Sequence, residues 1–182
     1  STSLDSPIFT STYGAGWRTP DPAFVYETPR TTYSRFNDWF RGNRVNRKDW
    51  DRRYLGQRRT NPRRKPPELA RWVLEREGTA AKVVDIGCGR GGATRWLARR
   101  GVDALGLDYA PTGYEFMTAW AAKRPQLRLR FAMLNLLALR HVLGWGARLA
   151  HEPGTHVLMA RHVADAVPGA GRRNLWRLTQ MA

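Results

Sequence analysis

Apolar positions along the chain recur with two periods that change places. Tyr33, Phe36, Trp39 and Phe40 return at i, i+3, i+6 and i+7, with Thr32 and Ser34 near a plausible N-cap. "RKDWDRRYL" then sets Trp50 and Tyr54 four apart, so two successive helices are predicted ahead of "NPRRKPP", whose three prolines stop helical propagation. "PPELARWVLEREG" starts a further helix with Pro67 at its first turn and Glu68 at the positive end of its dipole, and Gly78 closes it. From there strands and helices alternate. "AKVVDIG", "VDALGLDYA", "LRLRFAMLNL" and "THVLMARHV" are apolar runs of strand length. Between and after them lie the helical patterns "GATRWLARRG", "TGYEFMTAWAAKR", "LALRHVLGWGARLA", with glycines weakening its middle, and "PGAGRRNLWRLTQMA".

Four strands with helices between them predict an α/β fold: a parallel sheet with right-handed crossovers, covered by helices on both faces. Residues 1–30 show neither period and are rich in Ser, Thr, Pro, Gly and Tyr, which predicts an irregular arm. The expected organisation is an arm over 1–30, a basic and aromatic helical extension over 31–65, and the α/β domain over 66–182.

Composition narrows the partners. Of 182 residues, 42% are hydrophobic and 11% aromatic, enough for a packed core. The formal charge is +16, and residues 41–65 hold eleven Lys+Arg against Asp49 and Asp51. Such a balance attracts nucleic acid or anionic ligands; the plainer explanation is an arginine-rich coding bias. The aromatics of 33–54 interleaved with Arg41, Arg44, Arg47, Arg52 and Arg53 suit base stacking, but their helical spacing favours a stripe that docks these helices on the domain. The single cysteine, Cys88, excludes an internal disulfide, and His141, His151, His156 and His162 lack metal-ligand spacing, so no metal is expected. With neither a 20-residue apolar run nor a signal peptide, a cytoplasmic protein is expected.

The chemistry concentrates in "KVVDIGCGRGGAT", where four glycines, Gly87, Gly89, Gly91 and Gly92, fall within six residues at the turn from the first strand into its helix. In an open parallel sheet that turn is where ligands bind. The fit to G-x-G-x-x-G leaves the ligand open, since dinucleotides use the same loop. Asp85, two residues before the first glycine, would repel a pyrophosphate and suits a cationic cofactor such as S-adenosyl-L-methionine. Asp108 ends the second strand seventeen residues after Gly91, placed to accept from ribose hydroxyls, which NAD would equally supply.

"VVDIGCGRGGAT" followed by "GLDYA" resembles the first two motifs of class I S-adenosylmethionine-dependent methyltransferases, over roughly residues 66–182. The resemblance implies a Rossmann-like sheet of order 3-2-1-4. It also implies cofactor contacts at Asp85, Gly87, Cys88, Gly89, Asp108 and Tyr109, an adenine contact at Asn135, and a methyl-donor site lined by Ala160, Arg161 and His162. "WDRRYLGQ" and "PPELARWVL" are similar to N-terminal helices that cover the cofactor in small-molecule members related to the thiopurine and tellurite-resistance enzymes. The family's domain continues with a fifth strand and a hairpin absent here, so a piece of a longer chain, or a poorly stable fold with the fourth strand as an open edge, is expected. Residues 1–30 resemble the tail of phosphorylcholine-transferase-type (LicD-like) nucleotidyltransferase domains, which implies fusion behind a polysaccharide-synthesis domain.

Three functions follow as expectations. The first is methyl transfer to a small molecule or glycoconjugate, with His162 the candidate base. The second is an RNA methyltransferase holding phosphates with 41–65; no Asn/Asp-Pro-Pro-aromatic motif after the fourth strand supports methylation of base amines. The third is a non-catalytic scaffold. Cys88 has no neighbouring base and reads as a small residue fitting between glycines, and Arg161 reads equally as a surface residue or an acceptor anchor.

Overall fold

The computed structural model describes residues 37–56 and 67–182, and of 37–46 the backbone alone. The arm 1–30, Tyr33 and Phe36, the side chains of Trp39 and Phe40, the prolines of 61–66 and the segment resembling a nucleotidyltransferase tail lie outside the described residues. Residues Gly42–Ala182 form one compact unit.

Helix α1 (Asn37–Gly56), which enters this unit at Gly42, is one continuous helix where two were predicted. No proline interrupts "RGNRVN", and Gly42 with Asn43 lowers helix propensity without breaking the hydrogen-bond ladder. Then follow α2 (Glu68–Glu77), β1 (Lys82–Ile86), α3 (Gly92–Ala98), β2 (Asp103–Asp108), α4 (Pro111–Ala122), β3 (Leu129–Met133), α5 (Leu139–His151), β4 (His156–Ala160) and α6 (Gly169–Met181). The four strands form one parallel sheet of order β3-β2-β1-β4, as the resemblance implied. Asp85 pairs with Gly106 on one side and Met159 on the other, so the first strand sits centrally.

Successive residues of a strand point to opposite faces, and each face has its own core. Val84, Ile86, Leu105 and Leu107 pack with Val142 and Leu149 of α5 and Leu175 and Leu178 of α6. Val83, Ala104, Leu129 and Met159 pack with Ala70 and Val73 of α2 and with Leu97 and Ala98 of α3. Because both faces are covered, β1 and β2 read as uninterrupted apolar runs. The edge strand β4 is less protected, with only Met159 buried.

The glycines expected to weaken α5 leave it unbroken. A Cβ on Gly146 would come within 2.7 Å of Met181 Sδ, so the missing side chain lets α6 approach α5 closely. Much of the basic character is absorbed on the domain's own surface: Arg100 lies 3.7 Å over the Trp96 ring, and Arg124 4.0 Å over Trp120. At the amino-terminal ends of the strands, Glu152 takes Lys82 at 3.3 Å and Arg130 at 3.6 Å. Burial opposes ionisation there, yet the two cations hold the Glu152 carboxyl below its usual range. The opposite ends of the strands are left for ligand.

Candidate cofactor and active site

A cavity of about 330 Å³ opens at the carboxyl ends of the strands, a size suited to a small-molecule ligand. Every strand contributes the segment that follows it: Ile86 and Gly87 from β1, Asp108 and Tyr109 from β2, Leu134 to Leu137 after β3, and Arg161 to Val163 after β4. This is the position at which open parallel sheets bind ligands.

The glycine loop is shaped by its bonds to β2. Gly87 N and Cys88 N both donate to Leu107 O, at 2.7 and 3.1 Å, which folds the loop back over the end of the second strand. Gly87, Gly89 and Gly91 all take positive φ, at +70°, +53° and +65°, a region that a Cβ disfavours. The fold-back delivers Gly89 N to Asp108 Oδ2 at 2.8 Å, while Ala110 N donates to Oδ1 at 2.9 Å. Asp108 is only 7% exposed, and burial raises its pKa against the pull of these amides.

Asp85 sits deeper than its place before the glycines suggests. It is 4% exposed, accepts a 2.7 Å hydrogen bond from Thr94 Oγ1, and lies outside the cavity wall. Burial pushes its pKa up to about 6, opposed by the Thr94 hydroxyl and the field of Arg161. The carboxyl therefore ties β1 to the first turn of α3, beneath the loop. A raised carboxyl pKa means that the folded state holds its proton more tightly than the unfolded state does. The stability it contributes is complete below about pH 4 and is lost as pH rises through about 6. Melting temperatures of wild type and Asp85→Asn, followed from pH 4 to pH 8, are expected to shift in favour of the variant across that window.

Of the other residues implied by the family motifs, the structure brings Gly87, Asp108, Tyr109, Asn135 and His162 onto one cavity. Asn135, 9% exposed, is fixed by Leu137 N donating to its Oδ1 at 2.9 Å. His162 has φ +58° and is the one described non-glycine residue at positive φ. It ends β4 abruptly, where the sequence pattern ran the strand on to Val163, and histidine is among the residues that tolerate this conformation. Cys88, Gly89 and Ala160 are outside the wall. The Cys88 sulfur turns toward Gly106, where a Cβ would meet it at 3.0 Å, and burial, ahead of the fields of Asp85 and Asp108, pushes its thiol well above the usual range. That is the chemistry of a packing residue.

Residues of α1 complete the wall. Trp50, Arg53 and Tyr54 line the cavity, and Thr112 Oγ1 donates to Asp51 Oδ1 at 2.5 Å. The Trp50/Tyr54 spacing marked a docking stripe, and the likeness of "WDRRYLGQ" to helices that cover the cofactor implied a place over the site. Leu134, Leu137, Val167 and Pro168 went unmarked, because apolar residues in loops carry no period.

Residues 84–141 match the family model described as "Methyltransferase domain", spanning β1, the glycine loop, Asp108 and Asn135. Residues 84–141 thus carry the sequence of a class I S-adenosylmethionine-dependent methyltransferase domain. S-adenosyl-L-methionine is the cofactor of that class. The methyltransferase domain is 33% identical over 70 residues to the 2-heptyl-1-hydroxyquinolin-4(1H)-one methyltransferase of Mycobacteroides abscessus, covering 38% of this chain and 30% of that protein. It is 48% identical over 44 residues to the ubiquinone biosynthesis O-methyltransferase of Acinetobacter baumannii, covering 23% of this chain and 19% of that one. The match thus spans about a third of the length of the first relative and a fifth of the second. A solved structure titled "Conversion of a Disulfide Bond into a Thioacetal Group during Echinomycin Biosynthesis" shares the fold, with TM-score 0.52 at 24% identity over 72% of this chain and 55% of that one.

The wall suits such a cofactor on chemical grounds. A carboxylate (Asp108) for hydroxyl donors, an amide (Asn135) for a ring amine and a glycine (Gly87) at the loop all face one space beside apolar residues. Among the described residues no group of acids, cysteines and histidines could hold a metal ion, and no helix is long and apolar enough to cross a membrane.

Proposed function

We propose that this protein transfers a methyl group from S-adenosyl-L-methionine to a hydroxyl of a small molecule, free or carried on a glycoconjugate. The observation that carries this reading is the shared cavity, whose wall holds Asp108, Gly87 and Asn135 together with His162 and apolar residues. The relatives named for a hydroxyquinolone and for ubiquinone biosynthesis support an apolar, hydroxyl-bearing acceptor.

The bound cofactor supplies an activated methyl group on a cationic sulfur. Asp108 would hold the ribose hydroxyls, the Gly87–Gly89 loop the methionine portion and Asn135 the adenine amine. Leu134, Leu137, Val163 and Val167 exclude water around the reacting centre. His162 accepts the acceptor's hydroxyl proton as the new oxygen–carbon bond forms, and Arg161 beside it favours an acceptor that is partly ionised.

In assays with the methyl-labelled cofactor and hydroxylated quinolones or phenols as acceptors, methyl transfer is expected, and RNA is expected to take up no label. His162→Asn keeps a residue tolerant of positive φ while removing the base. It is expected to lower kcat by roughly 10² or more with the cofactor Kd within about twofold. An unchanged kcat would remove His162 from the chemistry.

A further inference from the structure

Two backbone amides, those of Gly89 and Ala110, donate to Asp108, and the phenol hydroxyl of Tyr54 from α1 stands over the same loop and interacts with the same carboxylate. A carboxylate offers about four acceptor positions, so Tyr54 competes with any ligand hydroxyl for those the amides leave. The amides belong to the loop and to the chain leaving β2 and cannot leave without unfolding the site. The Tyr54 hydroxyl can, because it reaches Asp108 from a separate helix.

The tyrosine also covers the loop. A Cβ built on Gly89 would stand 3.2 Å from Tyr54 Oη, and one on Gly113 3.1 Å from its ring. Trp50 lies against it with ring centroids 5.9 Å apart. The anchorage of this end of α1 is polar and small: Thr112 to Asp51, and the Arg90 guanidinium donating to the Tyr54 carbonyl. Burial, followed by the Asp108 and Cys88 charges, pushes the phenol well above its usual range, so it stays a proton donor at any physiological pH.

We propose that Tyr54 stands where a ribose hydroxyl binds, so that α1 is a latch on Asp108 that the cofactor must displace. This rests on the reading of the cavity as a nucleoside-cofactor site. Its consequence is that Tyr54 lowers cofactor affinity, the reverse of what a supporting contact would do. It also couples cofactor binding to the release of the Trp50–Tyr54 end of α1 from the cavity wall.

Calorimetric titration of the whole chain with S-adenosylhomocysteine tests this. Tyr54→Phe, which keeps the ring and removes the hydroxyl, is expected to bind about fivefold more tightly than wild type, the worth of one hydrogen bond. Trypsin gives a second readout, since Arg52 and Arg53 flank the latch. S-adenosylhomocysteine is expected to speed cleavage there in wild type, and Tyr54→Phe to be cut quickly without it. Equal or weaker binding by Tyr54→Phe, or protection of Arg52 and Arg53 by the ligand, overturns the latch. If that happens while Asp108→Asn still loses binding, the cofactor site stands and the latch alone falls. If folded wild type and Tyr54→Phe both fail to bind, the cofactor reading falls and takes the latch with it.

Discussion

Replacing Asp108 by alanine is expected to weaken S-adenosylmethionine binding by at least about 100-fold, the loss of two hydrogen bonds to a charged acceptor. The side chain has two tasks that a single substitution separates poorly. It accepts Gly89 N at 2.8 Å, which holds the glycine loop against β2, and it presents a carboxylate in the cavity wall. Asp108→Asn resolves them. Its amide oxygen can still take one loop amide, but it replaces an ionised acceptor by a neutral one and turns a donor toward the Tyr109–Ala110 amides. Asn is therefore expected to retain most of the fold, by circular dichroism and melting temperature, while calorimetry records nearly the whole loss of cofactor binding. Wild-type affinity in Asp108→Asn would remove the ribose assignment.

The second large effect is expected at Gly91, and its neighbour provides the control. Gly91 has φ +65°, and a Cβ there would lie 2.5 Å from the Phe131 ring and 3.3 Å from Met117 Cγ. The Phe131 ring is hemmed in by Tyr114, stacked on it with centroids 6.0 Å apart, and by Gly106, whose own absent Cβ would be 2.5 Å away. It has nowhere to retreat. Left-handed strain of about 1–2 kcal/mol and overpacking of about 1–3 kcal/mol put Gly91→Ala at roughly 2–5 kcal/mol. That corresponds to a fall in Tm on the order of 4–20 °C for a chain of this size. Gly92 begins α3 with open space around its missing Cβ, so Gly92→Ala is expected to be neutral or slightly stabilising. Thermal melts of the two single variants check both statements, and equal melting temperatures would contradict them.

These adjacent glycines show where reading the sequence stops. Both belong to the loop pattern, and no rule of spacing separates them. What separates them is Phe131, forty residues away on β3, brought against one and away from the other by the pairing of β3 with β2. Asp85 and Asp108 divide in the same way. Each ends an apolar strand beside the loop, and each was expected to face the cofactor. The register puts both on one face of the sheet, and depth along the strands with the helix that follows separates them: Asp85, paired with Gly106, is enclosed with Thr94 under α3, while Asp108, two residues further on, stands in the cavity wall.

The α/β class, the four strands, the glycine turn and the acid ending β2 were legible because each rests on local regularities: the switch between periods of 2 and 3.6, runs buried on both faces, and glycine where the chain must turn with positive φ; the strand order followed from the family resemblance. The unbroken course of α1 was not legible, since the aromatic pattern alone does not say whether Gly42 and Asn43 break a helix or are carried through it. Nor was the left-handed turn at His162, two residues after β4 ends at Ala160. Sequence alone thus determined at which end of the strands the glycine loop lies and which acid stands at the end of β2. The tertiary structure alone decided what stands opposite that acid. A tyrosine 54 residues before it cannot be placed by any local period, and only folding α1 across the strand ends brings its hydroxyl to the carboxylate.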